Sequence, residues 1–142
     1  MFDLGDYLPY LVNRAGVRLA AAFGRDIAAT GVGVQEWRVL AALAAAGEQR
    51  LSGLAGLTSI DLSTLSRLVG RMARDGLVAR SRAAGDRRER RVALTAAGRR
   101  TFRVILPTAR RYERLALKGF DAGEARRLKR LLRRVYANLA RR

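Results

Sequence analysis

The chain has 142 residues, 49% of them hydrophobic, which is about one domain with enough apolar surface for a real core. Its net charge of +17, from 29 basic and 12 acidic residues, points to a polyanionic partner, nucleic acid first among them. With no cysteine and no histidine it excludes disulfides, thiol redox sensing, Cys/His zinc sites and imidazole catalysis, so no metal, no cofactor and no catalytic residue is expected.

The charge is uneven along the chain. Residues 1–49 sum to −1, residues 50–94 to +6 and residues 95–142 to +12. The first segment places Leu8, Leu11, Val12, Ala15, Leu19, Ala22, Phe23 and Ile27 at helical spacing, with Pro9 in the first turn, where proline is tolerated. "TGVGV" breaks that helix, and a second runs through Trp37, Leu40, Ala41, Leu43 and Ala44 to Gly47. From residue 50 the elements shorten. Ser52 reads as the N-cap of a short helix and Asp61 as the N-cap of a longer one. In the longer helix Leu62, Leu65, Leu68, Val69 and Met72 form an inward stripe, and Ser63, Thr64, Ser66, Arg67, Gly70, Arg71 and Arg74 form the opposite face.

After Gly76, "LVARS" and "RRVAL" read as two strands of a hairpin whose loop carries Gly85 and a cluster of charges. Thr95 caps a long helix containing Pro107, where a kink is expected, and "DAGE" at 121–124 has capping-box spacing before a last helix with Leu128, Leu131, Leu132, Val135 and Leu139 inward. The fold class is therefore mainly α with a small β-hairpin wing, a winged helix-turn-helix between terminal helices. We read residues 1–142 as one domain, with 34–95 as the DNA-binding region and 1–30 and 96–142 as dimerisation helices, because their apolar stripes outlie a winged unit that has its own small core. No apolar run is long enough for a bilayer and the N-terminus lacks a signal-peptide pattern, so a cytoplasmic protein is expected.

In a winged helix-turn-helix the second helix enters the DNA major groove. Ser63, Thr64 and Ser66 permit close approach, and Arg67 and Arg71, one turn apart, reach guanine edges or phosphates. Arg87, Arg88 and Arg90 of the hairpin suit the negative potential of a narrow minor groove, and Asp86 can brace a neighbouring guanidinium. The bland counterpart is a solvated serine face and an ordinary charged turn. A nonspecific architectural nucleic-acid binder is the alternative function, and it predicts steep salt dependence with little sequence preference.

"LSGLAGLTSIDLSTLSRLVGRMARDGLVARS", "GDRRERRVALTAAG" and the upstream "GVQEWRVLAAL" resemble the MarR (multiple antibiotic resistance regulator) family of bacterial transcription factors over nearly the whole chain. The resemblance implies a homodimer on a pseudo-palindromic operator, with Asp86 and Arg88 as the wing pair and Arg88 entering the minor groove. It also implies regulation, more often repression, relieved by a small aromatic acid. Tyr10, Arg14 and Trp37, with Phe23, offer the aromatic faces and the guanidinium such an acid requires, although Trp37 and Phe23 also suit a core and Arg14 a surface. The arginines of the last helix would suit the phosphates of an acyl-coenzyme A, or else only solvent.

Overall fold

The computed structural model describes residues 1–82 and 90–140. Helix α1 (Leu8–Ile27) starts with Pro9 in its first turn, as the sequence requires, and a 3-10 turn over Ala28–Thr30 leads to Gly31, whose φ of 79° reverses the chain. Helix α2 (Val34–Ala46) ends at Gly47, again at positive φ. Strand β1 (Gln49–Arg50) runs directly into α3 (Leu51–Thr58), and α4 (Leu62–Arg74) follows a short turn. Strands β2 (Val78–Arg82) and β3 (Arg90–Leu94) form the hairpin, and helices α5 (Ala96–Ala116) and α6 (Ala122–Leu139) complete the order.

The mainly helical fold with a small sheet agrees with the sequence reading, with four local corrections. The sheet has three strands, antiparallel and in the order β1-β3-β2, because Gln49 and Arg50 pair with Val92 and Arg91. That pairing holds residues 49 and 50 extended up to the helix, so α3 begins at Leu51 and Ser52 is not its cap. Leu62, expected inside, is exposed in the first turn of α4 at the edge of the stripe, whereas Leu65, Leu68, Val69 and Met72 are buried. Gly70, expected on the outer face, is buried because arginines fold over it.

Two compact units divide the chain, Met1–Ala109 and Arg110–Arg142. The core of the first joins Ile27, Val39, Leu40, Leu43, Leu54, Leu65, Met72, Val78, Val92 and Ile105. It also fixes the hairpin to the end of α4. Thr95 accepts from the Gly98 N–H at 3.0 Å, as a cap should, while its hydroxyl donates to the Gly76 carbonyl at 2.6 Å. Gly98 itself admits no side chain, since a Cβ there would stand 2.0 Å from the Leu77 carbonyl oxygen. In the second unit Asp121 accepts from the Glu124 N–H at 2.8 Å, the expected start of α6, and Lys129 pairs with Glu113.

Candidate nucleic-acid interface

The turn between α3 and α4 is built by Thr58, Ser59 and Ile60. Thr58 is buried, donates to the Leu54 carbonyl at 2.8 Å and accepts from the Ile60 N–H at 3.4 Å. Ser59 takes a left-handed φ of 56°, and Ile60 is buried as a plug. With the apolar face of α4 packed on α3 and β2, its other face must turn outward. Arg67 and Arg71 are exposed there, together with Arg74, which lies one further turn along.

At the N-terminus of α4 the Asp61 carboxylate accepts from the Thr64 N–H at 2.9 Å, from the Thr64 hydroxyl at 2.8 Å and from the Ser63 hydroxyl at 3.2 Å. The Thr64 backbone bond, then the Thr64 and Ser63 hydroxyls and the nearby Arg67 charge, hold the Asp61 carboxyl below its usual range. The hydroxyl protons of Ser63 and Thr64 are thus engaged within the protein. What these two side chains can offer to DNA is their oxygen lone pairs, which suit base amino groups rather than phosphates. Ser66, half-buried, flanks Arg67.

Arg90 is exposed at the start of β3, directly opposite Arg82. Asp86, Arg87 and Arg88 lie outside the described residues. Sequence reading missed Arg80 and Arg82 of β2, which stand two residues apart and therefore on one face of the strand; that spacing was the available signal.

The residues expected to bind a ligand fall into two groups. Arg14 stacks over the Tyr10 ring on α1, 5.0 Å from its centroid. Trp37 instead lies parallel to Phe102 at 5.3 Å and meets Phe23 edge-on at 5.7 Å. Among the described residues no ring contact or ion pair joins Tyr10 or Arg14 to Trp37. An open cleft of about 450 Å³ lies where α2, β3 and the start of α5 meet, with Arg99, Phe102 and Arg103 on one wall and Leu43, Glu48 and Leu94 among its other lining residues. The volume is within the range of small-molecule sites. Arg99 and Arg103, one turn apart with Phe102 beside them, were the sequence signal for it. Among the described residues no cluster of metal-ligating side chains occurs, and no helix is long and apolar enough to cross a membrane.

A family model described as MarR family matches residues 30–89. The chain is 29% identical to the HTH-type transcriptional repressor IacR of Pseudomonas putida, over 97% of this chain and 83% of that protein. It is 32% identical to the transcriptional activatory protein BadR of Rhodopseudomonas palustris, over 82% of this chain and 69% of that one. Among solved structures, a MarR family transcriptional regulator from Silicibacter pomeroyi superposes with a TM-score of 0.87 at 31% identity, covering 96% of this chain and 92% of its own. Bordetella bronchiseptica BpsR, a protein whose DNA binding is regulated by 6-hydroxynicotinic acid, superposes with a TM-score of 0.82 at 28% identity, covering 91% and 98%.

Proposed function

The chain belongs to the MarR family of transcription regulators, and on that premise we propose that it is a homodimeric, sequence-specific DNA-binding repressor released from its operator by a small aromatic acid. The observation that carries the reading is the division of α4: Leu65, Leu68, Val69 and Met72 are buried, so Arg67 and Arg71 stand in solvent, where major-groove edges can reach them. The hairpin beside α4 supplies the second contact, through Arg90 at the first position of β3 and through Asp86, Arg87 and Arg88, which precede it in the sequence.

Apolar residues left exposed on α1 and α6 support the homodimer. Leu8, Leu11, Val12 and Leu19 on α1, and Leu131, Leu132 and Leu139 on α6, are each about 40% exposed or more. A second copy covers such stripes and sets two reading helices about 34–36 Å apart on a pseudo-palindromic site.

The effector is assigned to the cleft of Arg99, Phe102 and Arg103, where a guanidinium takes a carboxylate and Phe102, backed by Trp37, takes the ring. BpsR, with its aromatic acid, supports that ligand class. The Tyr10–Arg14 pair is the second candidate for the same chemistry. Repression follows IacR, while BadR carries the opposite sign.

The test is binding of the full chain to the intergenic DNA beside its own gene and to scrambled DNA of equal length, at about 0.15 M salt, on the order of physiological ionic strength, with and without aromatic acids and their coenzyme A esters. A preference of order 10³ or more, abolished by one acid, is the expected result. Equal binding to both duplexes would instead assign the protein to the architectural class.

A further inference from the structure

Guanidiniums from two elements converge on Gly70. A methyl placed at this buried glycine would lie 3.7 Å from Arg80 Nη1 and 3.8 Å from Arg74 Nη1, so the two nitrogens are within 7.5 Å of each other. One comes from the last turn of α4 and the other from β2, which packs against α4.

The basic surface continues along the hairpin. Arg80 is opposite Val92 and Arg82 opposite Arg90, and since directly paired residues share a face, Arg80, Arg82 and Arg90 project to the same side. They line an open cleft of about 290 Å³. Like charges directly opposite one another weaken a strand pair. Even so, among the described residues no carboxylate stands within ion-pair distance of Arg74, Arg80, Arg82 or Arg90. A fold that places four guanidiniums together in this way, two of them against a glycine, is arranged for an anion with repeated charges.

We propose that Arg74, Arg80 and Arg82, continued by Arg90, form a seam that holds successive phosphates of one strand of duplex DNA between the reading helix and the wing. Arg80 and Arg82 are about 6.7 Å apart along an extended strand, comparable to the step between neighbouring phosphates. Guanidinium forks match phosphate oxygens in geometry and charge. Gly70 leaves the floor of the seam free of any side chain that would lift or neutralise Arg74 and Arg80. Such contacts position the duplex without reading it, so they add affinity on every sequence, whereas Arg67 and Arg71 discriminate.

The seam rests on the DNA-binding reading, and one titration separates the two. Binding of the full chain to its own intergenic duplex and to a scrambled duplex is measured from about 0.05 to 0.2 M salt, the range over which phosphate contacts change affinity steeply. Arg80→Ala and Arg82→Ala should each flatten the plot of log K against log salt by about 0.9 per protomer, equally on both duplexes, leaving the preference between them unchanged. Gly70→Asp, which keeps every arginine but sets a carboxylate beside Arg74 and Arg80, should flatten it as Arg80→Ala does. Gly70→Ala, whose methyl has room, should not.

Wild-type slopes in Arg80→Ala and Arg82→Ala, with native circular dichroism, would overturn the seam. A wild-type protein that binds both duplexes equally would overturn the sequence-specific reading, and the slopes of the variants would still decide the seam. If single-stranded DNA restores the slope differences and duplex does not, the commitment to duplex is wrong.

Discussion

Helices α4 and α6 carry the same kind of apolar stripe and meet opposite fates within one chain. In α4, Leu65 and Met72 are fully buried and Leu68 and Val69 nearly so. In α6, Leu131, Leu132 and Leu139 are 39%, 44% and 65% exposed. Periodicity alone therefore says that a face seeks cover, not what provides it. The stripe of α4 is covered by its sequence neighbours α3 and β2, and this orients the arginines behind it. The stripe of α6 has no such neighbours in its own unit and stays exposed. On the function proposed above, the first arrangement serves an interface for nucleic acid and the second an interface for a second copy.

Truncating the covered stripe should have the largest effect. Leu65→Ala removes a fully buried side chain from beneath the reading helix and should cost about 2–5 kcal/mol of folding free energy. The effect should appear in urea titrations and be the same at every protein concentration. A loss under about 0.5 kcal/mol, the scale of ordinary surface changes, would mean that the α4 core is not what holds that face in place.

Charging the uncovered stripe sharpens the contrast. Leu132→Asp, present twice in a two-fold interface, should weaken self-association by about 2–3 kcal/mol, roughly a hundredfold in Kd. Sedimentation would show monomers while circular dichroism stays native. Unchanged association would move the dimer interface away from α6.

Third in size is Arg67→Ala, which changes neither core nor dimer. It should reduce operator affinity by about 1–3 kcal/mol and relax preference at one position of each half-site. An equal loss on scrambled DNA would demote Arg67 to a phosphate contact.

How far the fold and site were legible depended on whether a feature is local. The stripe of α4 and the caps Asp61, Thr95 and Asp121 were readable because each uses residues within one or two helical turns. β1 was not, because two residues carry no alternation and Gln49 and Arg50 become a strand only by pairing with β3, more than forty positions away. The approach of Arg80 to Gly70 was hidden for the same reason: helical phase placed Gly70 outward, and only the packing of β2 on α4 covers it. Trp37 was legible as an aromatic near a ligand or a core, but its stacking on Phe102 depends on how α5 returns to α2.

The smallest effect concerns the boundary between the covered and reading faces, at Asp61. Its carboxylate accepts from the Thr64 N–H and from two hydroxyls that also belong to the reading face. These bonds hold its pKa below the ordinary value of 3.8 in the folded protein. A depressed carboxyl pKa contributes stability that is fully present above the unfolded value and fades as pH falls through the folded one. Asp61→Asn keeps a capping oxygen but does not titrate. Wild type should therefore exceed Asp61→Asn slightly in urea midpoint at neutral pH, and the gap should close below the usual carboxylate range. A gap that persists at low pH would mean that the charge contributes nothing and the cap acts through geometry alone. In that case the Ser63 and Thr64 hydroxyls would be held no more tightly by the wild-type carboxylate than by an amide, and their protons would be available to DNA phosphates after all.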